Sequence, residues 1–152
     1  RFTNPMWIGT RRQFNGLVIG GLAMLMITKN FSVNEMKCHC GCGEDSMDMD
    51  FMDILQEIRE DMNRPLSISS AVRCVKHNMK VSSTGKNGPH VYRKAADIII
   101  SGADALRLID TARKHGISGV GISQRGDHAK RFVHIDTLSG DDGHPRPTVW
   151  TY

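Results

Sequence analysis

The sequence predicts an α+β fold, a small largely antiparallel sheet with helices packed on one side. Two observations carry this. Two stretches place apolar residues at helical spacing, 51–62 and 106–112. Short runs at 66–72, 95–100, 119–122 and 132–136 read as strands, and they are mixed with the helices instead of repeating as regular strand–helix–strand units. At 152 residues the chain suffices for one domain with its own core. It is mildly basic, with 20 Lys+Arg against 16 Asp+Glu, which favours anionic surfaces. No basic run is interleaved with aromatics, which argues against nucleic acid as a partner. Nine methionines read as core filler.

Residues 1–30 stand apart as an N-terminal arm. Arg11 and Arg12 precede an apolar stretch, Leu17 to Ile27, too short to span a bilayer as a helix. A basic flank before a short apolar core is the form of a signal-like or anchoring segment, so contact with a membrane or a virion is expected there. An extra element packed on the domain is the alternative. The domain itself is expected over 31–152.

Ser32 with Glu35 has the form of a capping box on a short helical turn. A helix starting at Asp48 or Asp50 and ending near Met62 turns Phe51, Ile54, Leu55, Ile58 and Met62 to one side. Asp48, Asp50 and Asp53 suit its N-terminal dipole and lack the spacing of a calcium loop. Pro65 breaks the helix. Leu66 to Val72 reads as a strand with Arg73 at its end, and His77 and Asn78 open a loop that continues as a polar cleft rim over 79–89. After the strand Ala95 to Ile100, Ser101 caps a helix from about Ala103 to His115 with a stripe of Leu106, Ile109 and Ala112. Gly116 ends it, and His115 serves as a helix-end cation. Gly119 to Ile122 is a strand. The turn 123–130 contains Arg125-Gly-Asp127, a three-residue match too common to carry meaning. Phe132 to Asp136 is a strand, and residues 145–152 form an extended tail whose Trp150 packs back on the domain.

The chemistry gathers around Gly88 to Ile100. Asp97 interrupts an apolar strand, where a carboxylate is costly unless paired or bound to a cation. His90 precedes it, and His134 shares a strand face with Phe132 and Asp136. Two imidazoles and a carboxylate suit a catalytic zinc, which takes three protein ligands and keeps a position open. A loop histidine and a turn-capping aspartate are the bland alternative. Cys38, Cys40, Cys42 and Cys74 are spaced too tightly for the usual zinc knuckle. A bridge to Cys74 or free thiols are favoured over a second metal site made with His39, and spacing does not choose the pairing.

These segments carry a resemblance. The zinc D-alanyl-D-alanine carboxypeptidase family, particularly its small phage and bacterial cell-wall members, has the pattern Ser-x-His-x-x-Gly-x-Ala-x-Asp followed by a later His in a short strand. His90, Ala95 and Asp97 fall in register with it, and His134 fits the later ligand. The segment from Ile68 to Asn78 resembles the family's upstream Ser-x-x-Arg stretch, and Phe132-Val-His-Ile-Asp136 and Trp150 also match. The resemblance spans about 31–152. It implies a fold shared with Hedgehog signalling domains, Zn2+ held by His90, Asp97 and His134, and Arg73 as a substrate-binding group. It implies hydrolysis of peptide bonds in peptidoglycan stems or crosslinks, with peptidoglycan peptides as partners, in a periplasmic, extracellular or virion-associated setting.

Three positions depart from the pattern. Gly88 replaces the Ser and Arg93 the Gly, and Arg131 stands where many members carry an acidic general base. The base is therefore sought nearby, in the order Asp136, His128, Asp127, with Asp136 alternatively a partner for a ligand imidazole. The competing reading is an inactive metal-binding structural or virion-attached module, with Arg93 crowding the cleft. A cysteine-based redox protein would leave Arg73, His90, Asp97 and His134 unexplained.

Overall fold

The computed structural model describes residues 24–152. The basic flank and most of the apolar stretch of the N-terminal arm lie outside them. Among the described residues, no helix is long and apolar enough to cross a membrane. Ile27 packs against the core, and Thr28 Oγ1 donates to Gln56 Oε1 at 2.9 Å, so residues just before Phe31 belong with the packed unit.

The elements run α1 (Val33–Met36), α2 (Met49–Met62), β1 (Ser67–Ser70), α3 (Val75–Val81), β2 (Ala95–Ile99), α4 (Gly102–Lys114), β3 (Gly119–Ser123), β4 (Phe132–Asp136) and β5 (Thr148–Thr151). Sheet order is β1-β2-β4-β3-β5, antiparallel except for β5 beside β3. This is the α+β architecture expected.

Register explains how one sheet serves two purposes. Side chains alternate across the pleat, and Asp97 pairs with His134, which pairs with Gly121, which pairs with Trp150. These positions share one face. Ile98, Val133, Ile135 and Val120 occupy the other, where they join Phe51, Leu55, Ile58 and Met62 of α2 and Leu108 and Ala112 of α4 in a single core. The polar face is thereby free for chemistry while the apolar face holds the domain together.

Helix ends follow their sequence signals, with exceptions. Ser32 and Glu35 close a capping box on α1, and Asp48 Oδ1 accepts the Phe51 N–H at the start of α2. Ser101 holds the cap position of α4 without a side-chain bond; Gln124 Oε1 accepts the Gly102 N–H instead. Two residues of the expected stripes are corrected. Leu106 is exposed, and Ala105, Leu108 and Thr111 are buried in its place; Met52 is buried where Ile54 is only half-buried. The loop expected from His77 begins instead as α3, capped by the Cys74 sulfur, which accepts the His77 N–H at 3.3 Å. The extended tail is a full strand, β5.

Candidate metal centre

Strands β2 and β4 set Asp97 and His134 side by side, and the turn before β2 swings His90 over them. All three are buried. His90 Nδ1 lies 2.7 Å from the Ala71 carbonyl, which can only accept, so Nδ1 carries the proton and Nε2 is left facing Asp97 Oδ1 at 3.1 Å. His134 is held the other way round. Its Nε2–H donates to Asp136 Oδ2 at 3.0 Å, and Nδ1 faces Asp97 Oδ1 at 2.8 Å. Three donor atoms, His90 Nε2, Asp97 Oδ1 and His134 Nδ1, lie within 4.8 Å of one another. The set fits zinc: each imidazole presents one unprotonated nitrogen while a carbonyl or carboxylate fixes the opposite one, the arrangement that orients histidine ligands.

Electrostatics agree. Burial favours the neutral forms, and for His90 it dominates and lowers the pKa. Burial also acts against a charged His134, but hydrogen bonds to Asp136 and Asp97 outweigh it and raise the pKa. Asp97 would be raised by burial, yet hydrogen bonds from His134 and His90 hold it far below the ordinary carboxylate range. Its Oδ2 accepts from Arg73 Nη2 at 2.7 Å, while Arg73 Nε donates to Ser70 Oγ at 2.8 Å. Arg73 is thus braced against the bulge where β1 meets β2.

The three donors lie at an open pocket of about 580 Å³, lined also by Arg73, Thr84, His144, Arg146, Trp150 and Tyr152. The residues sought as a proton carrier are placed differently. Asp136 is wholly buried behind His134, where it also accepts the Leu138 N–H and a fork from Arg146, Nε at 2.9 Å and Nη2 at 2.7 Å. Asp127 and His128 are exposed on the turn before β4, where Asp127 Oδ1 accepts the Ala129 N–H. None of the three lines the pocket. Arg131 donates to the Gly126 carbonyl at 2.9 and 3.1 Å.

Two glycines of β3 make room for this machinery. A Cβ at Gly119 would stand 2.4 Å from Asp136 Oδ2, and one at Gly121 would stand 2.7 Å from the Trp150 ring. The Trp150 ring lies 5.1 Å from that of His134, with the Arg146 guanidinium 5.3 Å from the Trp150 centroid. Other departures from the resembling pattern also find reasons. A Cβ at Gly88 would meet Thr84 Oγ1 at 2.3 Å. Arg93 sits at φ +64°, the region glycine prefers, and its guanidinium reaches Glu44 at 2.6 Å and Ser46 instead of crowding the cleft. His144 and Arg146, absent from the sequence-based site, carried only a weak signal: a histidine and an arginine in a turn-rich tail after the last strand of the site.

A buried pair of imidazoles and a carboxylate opening on a pocket is the donor set that metal-dependent hydrolases use. The chain belongs to the peptidase M15 family, whose model, described as Peptidase M15, matches residues 29–136. The protein is accordingly a metallopeptidase-family hydrolase, and the members of that family are zinc-dependent peptidases. No curated protein matches the chain. The matched span includes the three donors and Arg73 and ends before His144, Arg146 and Trp150, which complete the pocket wall.

Proposed function

We propose that the protein is a zinc peptidase that hydrolyses peptide bonds in peptidoglycan stem peptides or crosslinks. One observation carries the reading: His90 Nε2, Asp97 Oδ1 and His134 Nδ1 converge at a pocket walled by an arginine and an indole. Zinc held by these atoms would supply Lewis acidity, polarising the scissile carbonyl and acidifying water. Arg73 has Nε and Nη2 engaged and, among the described residues, no partner on Nη1, which is left to bind a substrate carboxylate or a developing oxyanion. Asp136, locked by Arg146, holds the His134 tautomer. Proton transfer to the leaving amine falls to His144. Its Nε2–H donates to the Asn87 carbonyl at 2.6 Å, which leaves Nδ1 as a basic nitrogen in the pocket wall.

A second reading rests on Arg131. In the position where many relatives carry an acid, it is a committed donor, which suits a metal-holding module that binds the wall without cutting it. Zinc content and peptide release from purified peptidoglycan separate the two. Wild type should bind zinc and release peptides, chelator and His134→Ala should abolish release, and His144→Ala should retain zinc while slowing turnover about 100-fold or more. Zinc bound at this site without release would establish the module; no zinc there would refute both.

A further inference from the structure

Away from the pocket, the cysteines present a second donor set. Cys38, Cys40 and Cys42 lie on the loop after α1, and Cys74 starts α3. An extended Cys-x-Cys-x-Cys run would space its sulfurs about 7 Å apart along one face. Here the left-handed Gly41 (φ +79°) and Gly43 (φ +83°) curl the loop back. The four Sγ atoms then lie within 4.8 Å of one another, with Cys38–Cys40 at 3.4 Å and Cys40–Cys74 at 3.6 Å. All four are free thiols, so of the bridge to Cys74 and the free thiols that the sequence left open, the structure has the free thiols. Zinc–sulfur bonds of about 2.3 Å in a tetrahedron set sulfurs roughly 3.8 Å apart, the size of this cluster.

The surroundings suit thiolates. The Cys74 N–H points to Cys38 Sγ at 3.4 Å, the His77 N–H to Cys74 Sγ at 3.3 Å, and His77 Nδ1 lies 3.2 Å from Cys38 Sγ. Lys76, His77 and Lys80 border the shallow cavity beside Cys40, Cys42 and Cys74. The cationic side chains of Lys76 and Lys80 oppose the double negative charge of a zinc tetrathiolate. His39, the histidine the sequence offered, is not part of the group; His77 is the one beside the sulfurs.

We propose that Cys38, Cys40, Cys42 and Cys74 form a structural zinc site separate from the pocket. Binding exchanges four S–H bonds for four Zn–S bonds, releases four protons to solvent and involves no oxidation. With four protein ligands the site is closed, hence structural and not catalytic. Its location gives it a purpose. Cys74 directly follows Arg73, whose N–H donates to the His90 carbonyl at 3.3 Å and whose guanidinium reaches Asp97. A metal here ties the loop after α1 to the arginine of the pocket. The inference stands independently of which substrate is cut.

The test uses the full chain purified under reducing conditions, with cobalt replacing zinc. The wild type should show an intense near-ultraviolet sulfur-to-cobalt charge-transfer band and the visible bands of tetrahedral cobalt. The band should persist in His134→Ala and vanish in the Cys40→Ser/Cys42→Ser double variant, whose zinc content should fall by about one ion per chain. Both substituted side chains are exposed. The wild-type spectrum decides by itself if that variant fails to fold. Absence of a thiolate–cobalt band in reduced wild type would overturn the proposal, as would iron in place of zinc, or disulfides linking these cysteines in the zinc-loaded protein.

Discussion

Arg146→Met removes the guanidinium that forks onto Asp136, a carboxylate whose side chain has no exposure to solvent, while Arg146 itself retains 7%. Breaking a buried pair from one side costs about 3–5 kcal/mol, because the remaining charge keeps its desolvation penalty. Asp136 still accepts from His134 Nε2 and the Leu138 N–H, so the lower end, about 3 kcal/mol, is expected. With a urea m-value of about 1–3 kcal/mol/M, that lowers the unfolding midpoint by roughly 1–3 M. The measurement is equilibrium urea unfolding with chelator present, so that metal binding adds nothing to the folded state. Asp136→Asn and the double variant complete a cycle. Since the amide carries no charge to strand, the double variant should be less destabilised than the sum of the singles by more than about 1 kcal/mol. A cost below about 1 kcal/mol for Arg146→Met, or strict additivity, would refute the view that this pair braces the site from behind.

Gly119→Ala should cost about 1–3 kcal/mol in the same unfolding assay, since its Cβ would collide with Asp136 and Arg146. Phe51→Ala, at a fully buried position of α2, should cost about 3–5 kcal/mol. His115 joins α4 to α2 through Asp61 at 2.6 Å and Glu57 at 3.0 Å, and the Asp61 hydrogen bond chiefly raises its pKa. A raised histidine stabilises below its unfolded pKa of about 6.5, and the benefit fades as pH rises through the folded value. His115→Ala should therefore lose more stability against wild type at about pH 5.5 than at about pH 9; equal losses would sink this. Arg93→Gly should leave stability nearly unchanged by thermal unfolding, because relief of the left-handed backbone offsets the loss of a half-exposed ion pair.

The strands that carry the site were legible because their chemistry contradicts their pattern. Asp97 in an apolar run, and His134 and Asp136 alternating with Val133 and Ile135, cannot be read as ordinary core. The bounds of β4 agree with the sequence to the residue. The convergence of His90, Asp97 and His134 was one of two readings that the residues left open, and the family resemblance chose it. What sequence missed is what depends on long-range packing. α3 starts from a cysteine, an uncommon cap. β5 has no partner in sequence proximity and pairs parallel to β3. Burial of Asp136 behind His134 comes from Arg146, ten residues later. The vacancies in β3 likewise appear as two plain glycines until Trp150 and Arg146 fill them.

The strand β5 has a further consequence. It lies at the sheet edge, mostly exposed, held along one side only by β3, and edge elements open at lower free energy than a domain's centre. Yet it carries Trp150, while β2 and β4, which carry Asp97 and His134, sit inside the sheet. Amide hydrogens of 148–151 should therefore exchange far sooner than those of 132–136. The floor of the cleft is clamped to the global stability of the domain, whereas its wall opens at lower cost, so the cleft can widen without loosening a single donor atom.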